Sequence, residues 1–154
     1  MSVSSRLQKL GITLPAAPVP VANYVAHRRT GNLLVISGQL PVRDGKPAFT
    51  GTLGSKTISP EDAHAAARLA ALNVLAQASA ALDGDLDRIA ACIRLGVFVA
   101  ASAGFTRHPA VANGASDLIV EVLGDAGRHA RAAVGCASLP LGVPVEVEAL
   151  FEVR

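Results

Sequence analysis

From Arg131 to Val153 the chain reads as two strands joined at Leu139-Pro140-Leu141-Gly142, and the second strand leaves little freedom for the rest. Val143, Val145, Val147, Ala149, Phe151 and Val153 alternate strictly with Pro144, Glu146, Glu148, Leu150 and Glu152, the period of two of a strand with one buried face. Six apolar residues therefore point at a core. The opposite face carries three carboxylates beside Leu150, so it suits neither open solvent nor a plain interior. In the first strand the alternation puts Ala132, Val134 and Cys136 on one side and Arg131, Ala133 and Gly135 on the other. Paired side by side, the two strands would bring a lone Arg among tiny residues close to a row of Glu.

At 154 residues the chain is expected to form a single domain over residues 21–154, preceded by an N-terminal extension over residues 1–20. The hydrophobic fraction of 51% is mostly Ala, Val and Leu, and aromatics are only 3%. Small side chains favour helices lying tight against a sheet. They also argue against nucleic-acid recognition, which uses aromatic stacking platforms, and a formal charge of +2 with no basic run longer than Arg28-Arg29 points the same way. Cys92 and Cys136 lack a CxxC spacing and fall in apolar stretches, so they read as buried and inert. No signal-peptide pattern is present, and every long apolar window is broken by Arg, Asp or Gly. A cytoplasmic protein with no membrane partner is expected.

In chain order, Ser4 to Leu10 suits a short helix closed by Gly11, and the prolines at 15, 18 and 20 force an extended run after it. Asn23–His27 and Leu33–Ser37 read as a hairpin turning at Arg29-Thr30-Gly31-Asn32, and Asp44-Gly45 marks a further turn. A long helix starts at the N-cap Ser59, with Pro60 at its first position and Glu61 and Asp62 against its positive end, and it stops at Asp83-Gly84. Its apolar residues surround the axis, which predicts cover on more than one side. Ile89–Ala100 reads as a long strand. A second helix, Pro109 to Leu123, carries the stripe Val111, Ala115, Leu118, Ile119 and Val122, with Asn113, Asp117 and Glu121 on the far side. Two helices on one face of a mixed sheet give an α+β domain. The small-residued, partly charged face left uncovered predicts an oligomer.

Arg131 and Glu146 are the sharpest chemical candidates. A guanidinium fork holds a carboxylate through two charge-assisted hydrogen bonds, and a nearby Glu positions or deprotonates water. On residue types alone, an interstrand or intersubunit ion pair explains both charges more simply. The histidines form no HxH, HExxH or HxxxH pair, so no metal site is expected. Ser37-Gly38 lacks the GxSxG setting of a nucleophile elbow, and Gly45, Gly51 and Gly54 lack the GK[ST] of a phosphate loop. Tyr24, the only Tyr, reads as packing, and no cofactor is expected.

Several stretches taken together resemble one family. Asn23-Tyr24-Val25, Gly31-Asn32-Leu33-Leu34-Val35-Ile36-Ser37-Gly38-Gln39-Leu40-Pro41, Val97-Phe98-Val99, Arg131, Leu139-Pro140 and Val145-Glu146-Val147-Glu148-Ala149 follow one another as in the RidA/YjgF imine deaminases, also known as L-PSP endoribonucleases. The resemblance implies a chorismate-mutase-like α+β fold and a homotrimer whose sheets form a central β-barrel, with sites in the clefts between subunits. It further implies that Arg131 binds the carboxylate of a small metabolite and that Glu146 holds the water that hydrolyses an enamine or imine of the 2-aminoacrylate type to a 2-keto acid and ammonia. Tyr24, Ser37 and Gly38 match residues lining that cleft, Asn113 matches another position there, and Ala133 stands where the family often has Cys. The extension before residue 21 and the run Gly127-Arg128-His129-Ala130-Arg131 mark a divergent subgroup. Two other functions stay open: a non-catalytic, carboxylate-binding regulatory trimer, and an endoribonuclease, for which the chain offers no basic aromatic surface.

Overall fold

The computed structural model describes all residues, Met1–Arg154. The chain forms α1 (Val3–Lys9), β1 (His27–Thr30), β2 (Leu33–Gln39), a small hairpin of β3 (Val42–Arg43) and β4 (Lys46–Pro47), α2 (Pro60–Ala81), β5 (Ile89–Ala100), α3 (His108–Leu123), β6 (Ala130–Cys136) and β7 (Val145–Val153). Five strands make one sheet in the order β1-β2-β7-β5-β6, antiparallel except for β5 and β6, which run parallel. A parallel neighbour needs a crossover, and α3 supplies it. Both long helices cover one face, so the mixed α+β architecture expected from the sequence is the one found.

The local signals explain most of the elements. Ser59 Oγ accepts from the Asp62 backbone N–H at 3.0 Å, capping α2. Asp83 and Gly84 then take positive φ of 55° and 87°, which no helix continues. The alanines of α2 let it pack closely: Ala63, Ala66, Ala67, Ala70, Ala71 and Ala78 are all fully buried between the sheet and α3. At the tightest point Gly114 of α3 lies on the backbone carbonyl of His64 in α2. A single cluster of 31 buried residues links both helices to the inner face of the sheet, and Val3 of α1 belongs to it.

Two expectations change. The strands bearing Arg131 and Glu146 are not neighbours, because β5 lies between them. The alternation of a strand fixes its faces but not its partner, and here the link from β6 to β7 straddles the end of β5. There Ala101 N–H donates to Cys136 O at 3.0 Å and Ala100 N–H to Pro144 O at 2.9 Å. The hairpin is also shorter than the sequence suggests. Thr30 pairs with Leu33, so the turn is only Gly31-Asn32 and Tyr24 falls before the strand. Gly31 takes a φ of 57°, which a two-residue turn tolerates best in Gly.

The face of the sheet away from the helices is bare. Leu33, Val35, Ile93 and Val134 are 38 to 49% exposed on this outer side of the chain, together with Glu146, Glu148, Leu150 and Glu152 of β7.

Candidate functional site

Arg131 stands on the edge strand and its register partner in β5 is the fully buried Leu95. Paired residues share a face, so the Arg131 side chain leaves the sheet on the helix side. There its Nη1 donates to Asn113 Oδ1 at 2.8 Å and to Ser116 Oγ at 3.0 Å, both on α3. Asn113 and Ser116 are three residues apart, the spacing that puts two side chains on one helical face. The hydrogen bonds continue beyond Ser116: its Oγ lies 2.9 Å from His129 Nε2, and His129 Nδ1 lies 2.6 Å from Gly127 O. An open cavity of about 270 Å³ is lined by Ser116, Val120, Arg128, His129 and Arg131. No ion pair of the chain uses Arg131. Both Nη1 hydrogens are committed, so Nε and Nη2 are the edge left for a carboxylate, and it is pre-oriented.

Glu146 belongs to the other face. Its partner in β5 is Phe98, next to Gly96, which is paired with Glu148, whereas Val97 and Val147 point at the core. The carboxyl lies directly over Gly38, where a Cβ would collide with Oε1. Gly38 sits in a β-bulge: Ile36 pairs with Ala149 and Gln39 with Val147, so Ser37 and Gly38 together oppose one residue. Gly96 makes the same room for Glu148, which is neutralised by Arg94 at 3.2 Å. Glu146 has no such cation. Burial first, and the neighbouring Glu148 charge second, raise its pKa above the ordinary Glu value. A half-buried carboxyl with an elevated pKa is suited to taking and returning a proton.

Of the residues picked from the sequence, Ser37, Gly38 and Glu146 come together on the outer face, and Tyr24 is close by in chain. Ser37 Oγ donates to Val25 O at 2.7 Å, which ties the half-exposed Tyr24 segment to the bulge. Asn113, Arg131 and Ala133 group on the helix side, Ala133 half-buried against the core. Asn113 is thus turned to the sheet edge, while Asp117 and Glu121 approach His64 and Arg68 of α2 at 4.0 and 2.8 Å. Arg131 and Glu146 do not meet within the chain. They lie on opposite faces, two strands apart and three residues out of register along β5, about 10 Å across the sheet and about 10 Å along it at ordinary strand spacing.

Sequence reading missed the supports. Ser116 was legible only as a polar residue at i+3 from Asn113. Two buried amides of α2 hold distant backbone: Asn73 Nδ2 donates to Leu40 O at 2.9 Å and Val42 O at 3.1 Å, just after the bulge, and Gln77 Nε2 donates to Pro18 O at 2.6 Å in the N-terminal segment. Gln39 Nε2 donates to Ser37 O at 3.0 Å. Cys92 is buried, with its thiol pushed up to about 12, but Cys136 is only half-buried. No three His, Cys, Asp or Glu side chains converge.

Residues 4–152 match the family model described as "YjgF/chorismate_mutase-like, putative endoribonuclease". The chain belongs to the YjgF/RidA family. Its relative protein TCP17 of Trypanosoma cruzi is 51% identical over 153 residues, 99% of this chain and 94% of that one. The crystal structure of Atu1372 from Agrobacterium tumefaciens is 50% identical, with a TM-score of 0.91 over 99% of this chain and 92% of that one. More distant is TdcF of E. coli, solved with bound serine, at 27% identity and a TM-score of 0.61 over 92% and 95% of the two chains. As a YjgF/RidA protein the chain has the α+β fold of that family, and no helix in it is long and apolar enough to cross a membrane.

Proposed function

We propose that the protein is a cytoplasmic homotrimer that hydrolyses small carboxylate-bearing enamines and imines of the 2-aminoacrylate type, at clefts where Arg131 of one subunit meets Glu146 of the next. The observation that carries this reading is the separation of the two groups. A guanidinium with a free, pre-oriented edge and an unpaired carboxyl of raised pKa stand on opposite faces of one sheet. A small ligand reaches both only when a second copy brings its outer face to the β6 edge. The bare outer face, with Leu33, Val35, Ile93 and Val134, suits burial against other copies, and closure of three such edge-to-face contacts gives a ring.

The chemistry follows from placement. Arg131 holds the substrate carboxylate through Nε and Nη2, which fixes the adjacent imine carbon. Glu146 accepts a proton from a water as its oxygen bonds to that carbon and the C=N electron pair moves to nitrogen. The proton passes to the nitrogen, giving a neutral carbinolamine. Glu146 then relays the hydroxyl proton to that nitrogen as the C–N bond breaks and C=O forms, and ammonia leaves with the 2-keto acid. An enamine first takes a proton from water at its methylene carbon to become the imine. Tyr24, Ser37 and Gly38 line the water side, Asn113 and Ser116 the Arg131 side, and Ala133 leaves space beside the clamp. That TdcF was solved with bound serine, a small molecule bearing a carboxylate, supports this class of ligand.

A non-catalytic carboxylate-binding trimer is the second reading, favoured by the completeness of the Arg131 clamp beside an Ala133 that offers no polar contact. The two separate on Glu146→Gln. Under the deaminase reading this variant keeps its affinity for a 2-keto acid and loses turnover. Equal loss of both marks Glu146 as a structural intersubunit charge.

A further inference from the structure

With His129 neutral, the link behind Arg131 has one consistent hydrogen assignment. Arg131 Nη1 is a donor only, so Ser116 Oγ accepts from it at 3.0 Å. Gly127 O is an acceptor only, so His129 Nδ1 carries a hydrogen toward it at 2.6 Å. In a neutral imidazole Nε2 is then an acceptor, and Ser116 O–H donates to it across 2.9 Å. The hydroxyl therefore points away from the guanidinium and hands it a lone pair. If His129 gains a proton, Nε2 becomes a donor and Ser116 Oγ accepts from both sides. Its O–H is then released, and a second positive charge stands one hydroxyl away from Arg131.

We infer that His129 is a positioning residue of the carboxylate clamp, acting through Ser116 so that carboxylate and proton are taken up together. This rests on the reading of Arg131 as the clamp. In the empty site a charged imidazole and the guanidinium face each other as like charges. A carboxylate on Nε and Nη2 cancels that repulsion and is attracted by both. Each then strengthens the binding of the other, by the reciprocity of coupled equilibria. The surroundings do not swamp the effect. On the neighbouring elements, Arg128 and Asp125 of the preceding turn pair with each other at 3.4 Å, Arg6 of α1 lies over Gly124, and Arg94 of β5, the register partner of Ala130, is paired with Glu148 at 3.2 Å on the outer face. From α3 the cavity receives only the uncharged Ser116 and Val120, and β5 presents Leu95 at the level of Arg131. The sequence run Gly127-Arg128-His129-Ala130-Arg131, unexplained by the deaminase chemistry, thereby acquires a role.

Calorimetric titration of the full-length protein with 2-oxobutanoate, a 2-keto acid of the product class, tests the inference in the wild type, His129→Gln, Ser116→Ala and Arg131→Ala. Acidification from about pH 8 to about pH 6 is expected to tighten wild-type binding by roughly fivefold, the scale of one charge acting over about 4 Å with water-like screening. The slope should vanish in His129→Gln, and His129→Asn supplies the answer if that variant does not fold. Ser116→Ala removes the hydroxyl link but leaves the imidazole, so it should lower the slope without abolishing it. Binding that depends on Arg131 but has the same pH slope in all other variants, or none in the wild type, overturns the role of His129 and leaves the clamp standing. Binding that survives in Arg131→Ala, or is absent from the folded wild type, overturns the clamp itself and this inference with it.

Discussion

Two inactive variants of this protein are expected to restore each other. Within one chain Arg131 and Glu146 leave the sheet on opposite sides, with β5 between their strands, so under the proposed function each site would draw its guanidinium from one subunit and its carboxyl from another. Arg131→Ala subunits keep Glu146, and Glu146→Gln subunits keep Arg131. In trimers assembled at random from equal amounts of the two, a site is intact when its Arg donor is one variant and its Glu donor the other. Each condition holds half the time, so about a quarter of wild-type activity returns in a cyclic assembly of this kind. The assay is to unfold the two purified variants together, refold them, and measure 2-keto acid release per trimer against each variant refolded alone. Activity no higher than that of the separate variants would refute the composite site, because it would require both groups to act from one chain.

Arg131→Lys should weaken 2-keto acid binding although the charge is kept. Lys has three donors, and holding Asn113 and Ser116 as Nη1 does leaves one for the ligand in place of the Nε–Nη2 pair; loss of one charge-assisted bond is about 1.5–3 kcal/mol, roughly 10- to 100-fold in Kd by calorimetry. Gly114→Ala should destabilise the fold, since the new methyl meets the His64 carbonyl, a backbone atom that cannot swing away. Overpacking of this kind costs about 1–3 kcal/mol against about 1 kcal/mol gained in helix propensity, and a higher denaturation midpoint would contradict the close helix contact. Glu146 makes stability pH-dependent with a definite sign. Its pKa is raised on folding, chiefly by burial, so the folded state is penalised for its charge: not at all below the ordinary Glu range, increasingly as pH rises through the window up to the raised value, and fully above it. Glu146→Gln should therefore be more stable than wild type at neutral pH and equal to it near about pH 3; denaturation midpoints differing equally at both pH values would remove the charge from the explanation.

The sequence carried the local parts of this structure. Ser59, Pro60 and the Asp83-Gly84 stop define α2 because caps and positive-φ residues act over three or four positions. Alternation sorted Arg131, Ala133 and Gly135 from Ala132, Val134 and Cys136, and it sorted the glutamates of β7 from its core residues. What alternation does not contain is a strand's partner, and so Arg131 and Glu146 were expected side by side when β5 in fact separates them. The bulge at Ser37-Gly38 is likewise a property of two strands and shows in one only as a Gly. Asn73 and Gln77 interrupt the apolar run of α2. They are buried because the carbonyls of Leu40, Val42 and Pro18, far off in sequence, need their amides. Ser116 and His129 are linked to Arg131 by contacts that appear only when α3 packs across the sheet edge.

The most direct test of the account is ammonia release from freshly generated 2-aminoacrylate, measured for wild type and Arg131→Ala at equal concentrations of folded protein. The account predicts release well above the spontaneous rate for the wild type and release at the spontaneous rate for the variant. Wild-type release at the spontaneous rate, or acceleration undiminished by the loss of Arg131, would contradict it.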